Sequence, residues 1–481
     1  MFTDKTRRGL MTASMVFVFA IAGAASVSFA QRGEMPLSAS KEAQKLFKQG
    51  LEKADNLESA GTLFDQAVQK DPNFAFGYLF AGQTNVEFQR NFDKAVALAD
   101  KASPAEREWI LAAAAQNIGD QAAALRRLKN LEGFYPHDKR VLMLIGNYYR
   151  NLGDNTNALK YFTSASEVDK KYAPPFNIIG YTYMASGDFP NAEKAFKTYI
   201  SLIPNNPNPY DSYAEMLLGS GKFDESITQY SMALSKDPTF YNSYEGMGNA
   251  YEYKGDYTKA RQTYQTMFDK SNTEALRGQA LASMTNSFVS EGKIDQAYEL
   301  IERRIDIAKN AGDTPTVLAL HNLAAFIATE TGDFDAAAKH LEMVETVMKD
   351  TSLPPANAAN RAFNISAART RLLLAKGDTE SAKTQIDLMS TAAKNLGQQR
   401  AYNFFAALAE SKQGNYAKAA ELFAKANQAD PVVWYYQAAA LEAAGDAAGA
   451  RKLYQKVATL YQLDTTGYAL VRNRAVAKLS K

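Results

Sequence analysis

A glycine recurs every 34 residues through the first half of this chain. Gly119, Gly153, Gly187, Gly221 and Gly255 are spaced 34 apart four times in succession. In the clearest copies a polar residue and an aromatic residue follow the glycine, with Ala or Ser three positions beyond the ring. Self-similarity at a fixed period of this length is typical of a repeat array, in which each unit packs on its neighbours instead of sharing one central core.

Each period contains two amphipathic helices. In the copy that begins at Ala173, the residues Phe176, Ile179 and Tyr183 fall on one face at three- and four-residue steps. Gly187 is expected to end this helix in the left-handed conformation. Repeats of this kind begin at Lys41, Phe76, Ala105, Lys139, Ala173, Pro207, Tyr241, Gly278, Leu318, Phe363, Arg400 and Pro431.

Residue sizes alternate within each repeat. Gly180 in the first helix and Ala192 in the second are small, which predicts close approach of the paired backbones. Large rings at Tyr183, Phe189 and Phe196 are expected to fill the gaps between this hairpin and the next.

This pattern resembles the tetratricopeptide repeat family over nearly the whole chain, from about 41 to about 460. The resemblance implies an all-α, right-handed superhelical solenoid of about twelve antiparallel helix hairpins. We expect a regular array over 41–277 and a less regular array over 278–464, because the spacing becomes 40, 45, 37 and 31 after Gly278. A polar helix over 465–481 is expected to cap the last hairpin.

The first thirty residues have the layout of a cleavable export signal. A basic cluster (Lys5, Arg7 and Arg8) precedes an apolar stretch over 10–27, and a small-x-small cleavage site stands before Gln31.

We therefore predict that 1–30 is removed and that 31–40 is a flexible mature N-terminus. The mature chain would then be periplasmic or secreted in a bacterium. Residues 6–11 also resemble a twin-arginine motif, but the Sec route is favoured. Retention of the apolar stretch as a membrane anchor is the competing interpretation.

Composition argues against several classes of chemistry. With 54 basic and 52 acidic residues the net charge is +2, which gives no support for nucleic-acid binding. The absence of Cys removes disulfides, thiolate nucleophiles and Cys-ligated metals. Of the three histidines, His321 is expected to be packed in a helix, and His137 and His340 to be solvated. We predict no catalytic, cofactor or metal site.

The resemblance also implies where a partner binds. In this family the second, fifth, ninth, twelfth and thirteenth positions of each repeat face the groove of the superhelix. In the stretch from about 140 to 253 these positions carry amides, then a change from basic to acidic residues, which suits an extended peptide. The candidate groove residues are Arg140, Asn147, Arg150, Asn177, Tyr181, Asp211, Glu215, Asn242, Glu245, Asn249, Glu252 and Tyr253.

The leading hypothesis is a non-enzymatic scaffold, exported to the bacterial envelope, that binds a protein or an extended peptide. The alternative is a glycan- or cell-wall-binding module that uses exposed Tyr and Asn side chains for stacking and hydrogen bonds.

Overall fold

The computed structural model describes residues 33–348, 355–461 and 465–480. Within these ranges it contains 24 α-helices, two short 3-10 helices and no β-strand, so the predicted all-α class is confirmed. The export segment predicted over 1–30 lies outside the described residues. The right-handed superhelical path stays a prediction.

The chain divides into two compact units, one ending at Met216 and the other beginning at Leu217. The division falls inside a regular repeat, whereas the spacing of the sequence had placed the change at 277–278. The first unit contains α1 (Lys41–Asp55), α2 (Gly61–Lys70), α3 (Asn85–Ala97), α4 (Pro104–Asn117), α5 (Gln121–Phe134), α6 (Lys139–Asn151), α7 (Asn155–Val168), α8 (Pro174–Ala185), α9 (Phe189–Leu202) and most of α10 (Asn208–Gly219).

The second unit continues the hairpins with longer helices. Its elements are α11 (Phe223–Lys236), α12 (Tyr241–Tyr253), α13 (Tyr257–Lys270), α14 (Glu274–Glu291), α15 (Ile294–Asn310), α16 (Thr314–Thr331), α17 (Phe334–Met348), α18 (Pro355–Lys376), α19 (Thr379–Ala392), α20 (Leu396–Lys412), α21 (Tyr416–Ala424), α22 (Pro431–Ala443), α23 (Ala447–Ala458) and α24 (Thr466–Leu479). The irregular spacing after Gly278 is therefore accommodated chiefly by helices that begin earlier, such as α18, which has 22 residues.

The repeat glycines form the turn inside each hairpin. All ten that mark a repeat, from Gly119 to Gly445, have φ between 76° and 94°, a conformation that residues with a side chain adopt at a cost. After Gly187, the Asp188 side chain accepts a hydrogen bond from the Asn191 backbone N–H at 3.2 Å and so caps α9. One tripeptide thus ends the first helix and starts the second.

The paired helices meet where an aromatic ring lies against a glycine. A Cβ added to Gly180 in α8 would lie 2.6 Å from the Phe196 ring of α9. The same arrangement joins Gly146 to Phe162 and Gly248 to Tyr264. The ring therefore packs inside its own hairpin, and not only between neighbouring hairpins as the sequence suggested.

The second repeat departs from the predicted hairpin. Its first helix is reduced to a single 3-10 turn, Phe76–Leu79, and the chain then bends at Gly82, where φ is +109°. The Phe76 ring packs at a tilt against Phe47 and edge-on against Trp109, with ring centroids 5.7 and 5.0 Å away. Gly77 inside the turn and Gly82 after it, together with the packing of the large rings, favour a compact turn over a regular helix here.

The segment 33–40, part of the N-terminus expected to be flexible, makes hydrogen bonds to side chains of the first unit. The backbone N–H of Met35 donates to Asp138 at 2.7 Å, and that of Ser38 donates to Glu106 at 3.0 Å. Glu106 is fully buried. Carboxylates at the starts of α6 and α4 therefore fix an extended stretch of the chain across the first unit.

The C-terminal helix α24 does more than cap the last hairpin. It packs against α23 and α22, and it also reaches α14 and α16. Thr466 Oγ1 donates to Asn286 of α14 at 2.5 Å, and Asn473 donates to the Ser290 carbonyl at 2.8 Å. Tyr468 and Val471 of α24 are buried. This helix is consequently part of the core of the second unit.

The glycine–ring contact predicts the effect of adding one methyl group. A Cβ on Gly248 would overlap the Tyr264 ring, which is fully buried and held by a hydrogen bond to Asn249. Gly248→Ala should therefore destabilise the second unit by about 1–3 kcal/mol through overpacking. Chemical denaturation followed by circular dichroism measures this.

Gly278→Ala is the matched control, because nothing lies within 4 Å of a Cβ added at that helical position. It should be neutral or stabilise by up to about 1 kcal/mol, since Ala favours helix more than Gly does. Equal effects of the two substitutions would contradict the packing model.

Candidate partner-binding cleft

The predicted groove residues of the first unit differ in how accessible they are. Arg150 is exposed, and Asn147 is partly exposed. Arg140 forms an ion pair with Asp55 at 2.6 Å. It forms a second ion pair, at 3.4 Å, with Glu34 of the segment 33–40. Arg140 therefore has a structural role in this unit.

A second group of predicted residues forms a hydrogen-bonded pair. Tyr181 donates its hydroxyl proton to Glu215 at 2.5 Å, and burial raises the pKa of the Glu215 carboxyl. Asp211 is buried one turn away. The side-chain oxygen of Asn177 is buried without a hydrogen-bond partner among the described residues.

In the second unit the chain itself engages most of the predicted residues. Asn249 accepts a hydrogen bond from Tyr264 at 2.6 Å, and Glu245 accepts one from Gln279 at 2.5 Å. Glu252 is buried and accepts one from Ser290 at 2.6 Å. Asn242 is exposed.

Tyr253 is covered by the C-terminal segment. Its ring centroid lies 5.4 Å from that of Tyr461, and the Arg472 guanidinium lies 5.0 Å above the Tyr253 ring. The Tyr253 end of the predicted groove is therefore occupied by residues from the last part of the same unit. Each unit carries some of the predicted residues, seven in the first and five in the second.

A cleft of about 690 Å³ lies elsewhere in the second unit. It is bordered by first helices of four hairpins, α16, α18, α20 and α22, and by the start of α24. The lining is mainly apolar, with a few polar groups, which is the usual character of a binding site. The lining residues used below are Phe326, Arg371, Arg400, Phe404, Phe405 and Asp430.

Arg371 stands at the centre of the aromatic wall. Its guanidinium carbon lies 4.7, 5.3 and 5.4 Å from the ring centroids of Phe326, Phe404 and Phe405. Nη1 of Arg371 also donates to Glu330 of α16 at 3.1 Å. Stacking on rings and pairing with a carboxylate hold this arginine in one orientation.

Glu330 connects four helices beneath the cleft. Besides Arg371 of α18, it accepts hydrogen bonds from Arg474 of α24 at 3.0 Å and from the Tyr436 hydroxyl of α22 at 2.8 Å. The Glu330 side chain is only 8% exposed. Two arginines and a phenol therefore compensate one buried carboxylate, as a buried charge requires.

The two remaining charged groups of the cleft differ in their freedom. Arg400 is exposed and makes no ion pair within the ranges that the structure describes. Asp430 caps α22 by accepting a hydrogen bond from the Val432 backbone N–H at 2.9 Å, and burial raises the pKa of the Asp430 carboxyl. Arg400 is thus the charge that remains available to a bound molecule.

A second cavity of about 350 Å³ continues the cleft along α16 and α18. The two cavities share Phe326, Arg371 and Phe405. Two amide side chains, Asn322 and Asn364, line the second cavity. Together the cavities form a path of aromatic and amide residues on the first-helix side of the hairpins.

Counting the family's groove positions in the later repeats would have found this cleft. Taking those repeats to begin at Leu318, Phe363 and Arg400, the second, fifth and ninth positions include the following cleft residues: Asn322, Phe326, Asn364, Ala367, Arg371, Ala401 and Phe404. The groove positions keep their spacing from these repeat starts, although the helices themselves begin four to eight residues earlier.

Two histidines meet although they are far apart in the sequence. The Nδ1 atoms of His321 and His340 lie 3.1 Å apart across the hairpin of α16 and α17. His340 was expected to be solvated, but its side chain is only 12% exposed because it packs beside Tyr298. In the described ranges no three His, Asp or Glu side chains are placed to bind a metal ion. None of the helices there has the length and apolar character needed to cross a membrane.

Family models described as tetratricopeptide repeat match four stretches of the chain: 139–172, 173–206, 214–275 and 404–464. The last stretch includes part of the cleft, from Phe404 to Val433. The cleft residues contributed by α16 and α18 lie outside the matched stretches. None of the curated proteins compared with this chain matches it.

Solved structures resemble parts of the chain. The MamA protein is 22% identical, with a TM-score of 0.32 over 36% of this chain and 94% of its own. A tetratricopeptide repeat protein from Parabacteroides merdae is 12% identical, with a TM-score of 0.36 over 63% and 98%. YrrB, described as having an unusual peptide-binding site, is 15% identical, with a TM-score of 0.28 over 44% and 94%.

The histidine pair predicts a loss of stability in mild acid. Burial lowers the pKa of both imidazoles below 6.5. His340 further lowers the pKa of His321, and Lys339 that of His340, whereas Glu302 opposes the shift in both. The neutral forms are therefore favoured by folding. The stability that the two neutral imidazoles contribute is fully present above the pKa that they have in the unfolded chain. It is lost as the pH falls through the lower pKa that they have in the folded protein.

We expect the denaturation midpoint to fall between about pH 7 and pH 5 more steeply in the native sequence than in the double variant His321→Leu, His340→Gln. The exposed His137 gives the control, because His137→Gln should leave the slope unchanged. Identical slopes in all three proteins would exclude the pair as the source.

Proposed function

Since this chain is a tetratricopeptide repeat protein, we propose that it is an exported, non-enzymatic scaffold that binds a protein partner through the aromatic cleft of its second unit. Repeats of this family serve as protein-binding modules. The observation that carries the proposal is the cleft of about 690 Å³, bordered by the first helices of four successive hairpins. Its apolar rings provide surface that a partner can bury. Arg371, which is held in one orientation, provides a polar group that fixes how the partner binds.

The cleft is better suited to this role than the Tyr253 end of the groove predicted from the sequence. Tyr253 and Glu252 already contact side chains of their own unit, and a partner would have to displace Tyr461 and Arg472. Arg400 and Asn364, in contrast, are exposed at the cleft. In the first unit, we propose the stretch from Asn147 to Glu215 as a further contact surface, on the basis of the exposed Arg150 and the partly exposed Asn147.

A peptide suits the cleft better than a glycan. The rings that line it are phenylalanines, two of which, Phe404 and Phe405, are only 7% exposed. Side chains set this deep favour insertion of a partner side chain over stacking of a flat sugar ring on an exposed aromatic surface.

In-cell photo-crosslinking tests the site. A photo-crosslinking amino acid in place of the partly buried Ala401 should capture a discrete partner band, because this position lines the cleft. The same amino acid in place of Lys383 is the control, since Lys383 is exposed on α19, a second helix that does not line the cleft. Capture from Lys383 with none from Ala401 would refute the cleft as the binding site.

Export is proposed from the basic and apolar layout of 1–30 and the cleavage site before Gln31. N-terminal sequencing of the protein from the envelope fraction should begin at Gln31. Ala30→Arg should block cleavage, since the peptidase accepts a small residue there. Arg7→Lys combined with Arg8→Lys should leave export intact if the Sec route is used, and should abolish it if the twin-arginine route is used.

A further inference from the structure

We infer that the cleft recognises a peptide in which a large apolar or aromatic side chain stands beside an Asp or Glu. This inference rests on the proposed function and names the chemistry of the partner. It depends on three features of the described residues: the aromatic wall, the accessible positive charge and the amide path that continues from the cleft.

The aromatic wall provides the apolar half of the recognition. Phe404 and Phe405 meet edge to face, with ring centroids 5.3 Å apart and an interplanar angle of 81°. Phe404 is also held by Phe423, 5.7 Å away, and by Tyr436, 5.9 Å away. Because these rings are already fixed, they lose little conformational entropy when a partner side chain packs against them. The free energy gained by burying apolar surface is therefore not offset by the cost of ordering the rings.

The charge balance selects a carboxylate. Glu330 is shared by Arg371 and Arg474, so that this cluster carries one excess positive charge. Asp430 lines the same cleft and interacts with Arg371, so its carboxylate offsets that excess while it also caps α22. Arg400 adds a guanidinium that has no ion-pair partner within the described ranges and lines the same cleft.

Arg400 and Arg371 therefore offer donors to an incoming carboxylate beside the rings. Arg371 uses one of its five N–H groups on Glu330, and its planar fork is already oriented by the three phenylalanines. A lysine or arginine side chain of a partner would meet like charge in the same place, which disfavours basic segments.

The amide side chains that continue from the cleft indicate that an extended peptide carries the apolar side chain and the carboxylate. Asn364 is exposed on α18, and Asn322 on α16 keeps its side-chain oxygen after donating to the Leu318 carbonyl at 3.0 Å. Both line the cavity that continues from the aromatic wall. Amide groups pair with the N–H and C=O of a peptide backbone, which a small carboxylate would not provide.

Selection from a phage-displayed library of random heptapeptides tests the inference on the full-length protein. The native sequence should enrich peptides with a large apolar residue within two positions of Asp or Glu. Arg400→Glu should lose the preference for acidic residues, and a peptide selected on the native protein should bind it about tenfold more weakly or worse. Arg400 is exposed, so its replacement leaves the packing of α20 intact.

Lys383→Glu is the matched control, because it makes the same change of charge on an exposed position outside the cleft. It should select the same acidic and apolar peptides as the native sequence. Enrichment without acidic residues, no enrichment at all, or an unchanged preference in Arg400→Glu would each overturn the inference.

This outcome is separable from the test of the proposed function. Crosslinking from Ala401 reports whether a partner occupies the cleft, whatever its sequence. A captured partner together with a library that shows no acidic preference would leave the scaffold function standing and reject the recognition chemistry alone.

Discussion

One contact holds several of the regular hairpins together: an aromatic ring of the second helix packs against a glycine of the first helix. At Gly180 there is no room for a Cβ beside Phe196, and Gly146 and Gly248 are equally crowded. In these three hairpins the contact brings the two backbones close and buries a ring, so that each has a small core of its own. Stacking of successive hairpins then adds the apolar surface that one repeat cannot bury.

The second unit depends in addition on a buried carboxylate. Glu330 joins α16 to α18, α22 and α24 through Arg371, Tyr436 and Arg474. Breaking such a cluster by removing one partner leaves an uncompensated charge in a poorly solvated place, which is far more costly than its net contribution to stability. The same cluster orients Arg371 against the aromatic wall, so the geometry of the cleft follows from the way in which the unit is closed.

Both ends of the described chain lie against helices that the repeat pattern would leave accessible. Backbone N–H groups of Met35 and Ser38 are held by carboxylates of the first unit. In the second unit α24 packs along α14 and brings Arg472 over Tyr253. The surface that a partner can reach is therefore smaller than the number of repeats suggests, and it concentrates where the cleft remains open.

The sequence determined the hairpins, because the period of 34 and the glycine turns are local properties that each repeat specifies for itself. The family's groove positions, counted after Leu318, also include Phe326, Arg371 and Phe404 of the cleft. The sequence missed the 3-10 turn at Phe76–Leu79, where a cluster of rings distant in the sequence overrides the repeat pattern. Only the tertiary structure decided which groove positions are open, because that depends on α24, on Glu330 and on other contacts between residues more than a hundred positions apart. No local pattern encodes such pairs, since each residue involved is an ordinary polar position within its own helix.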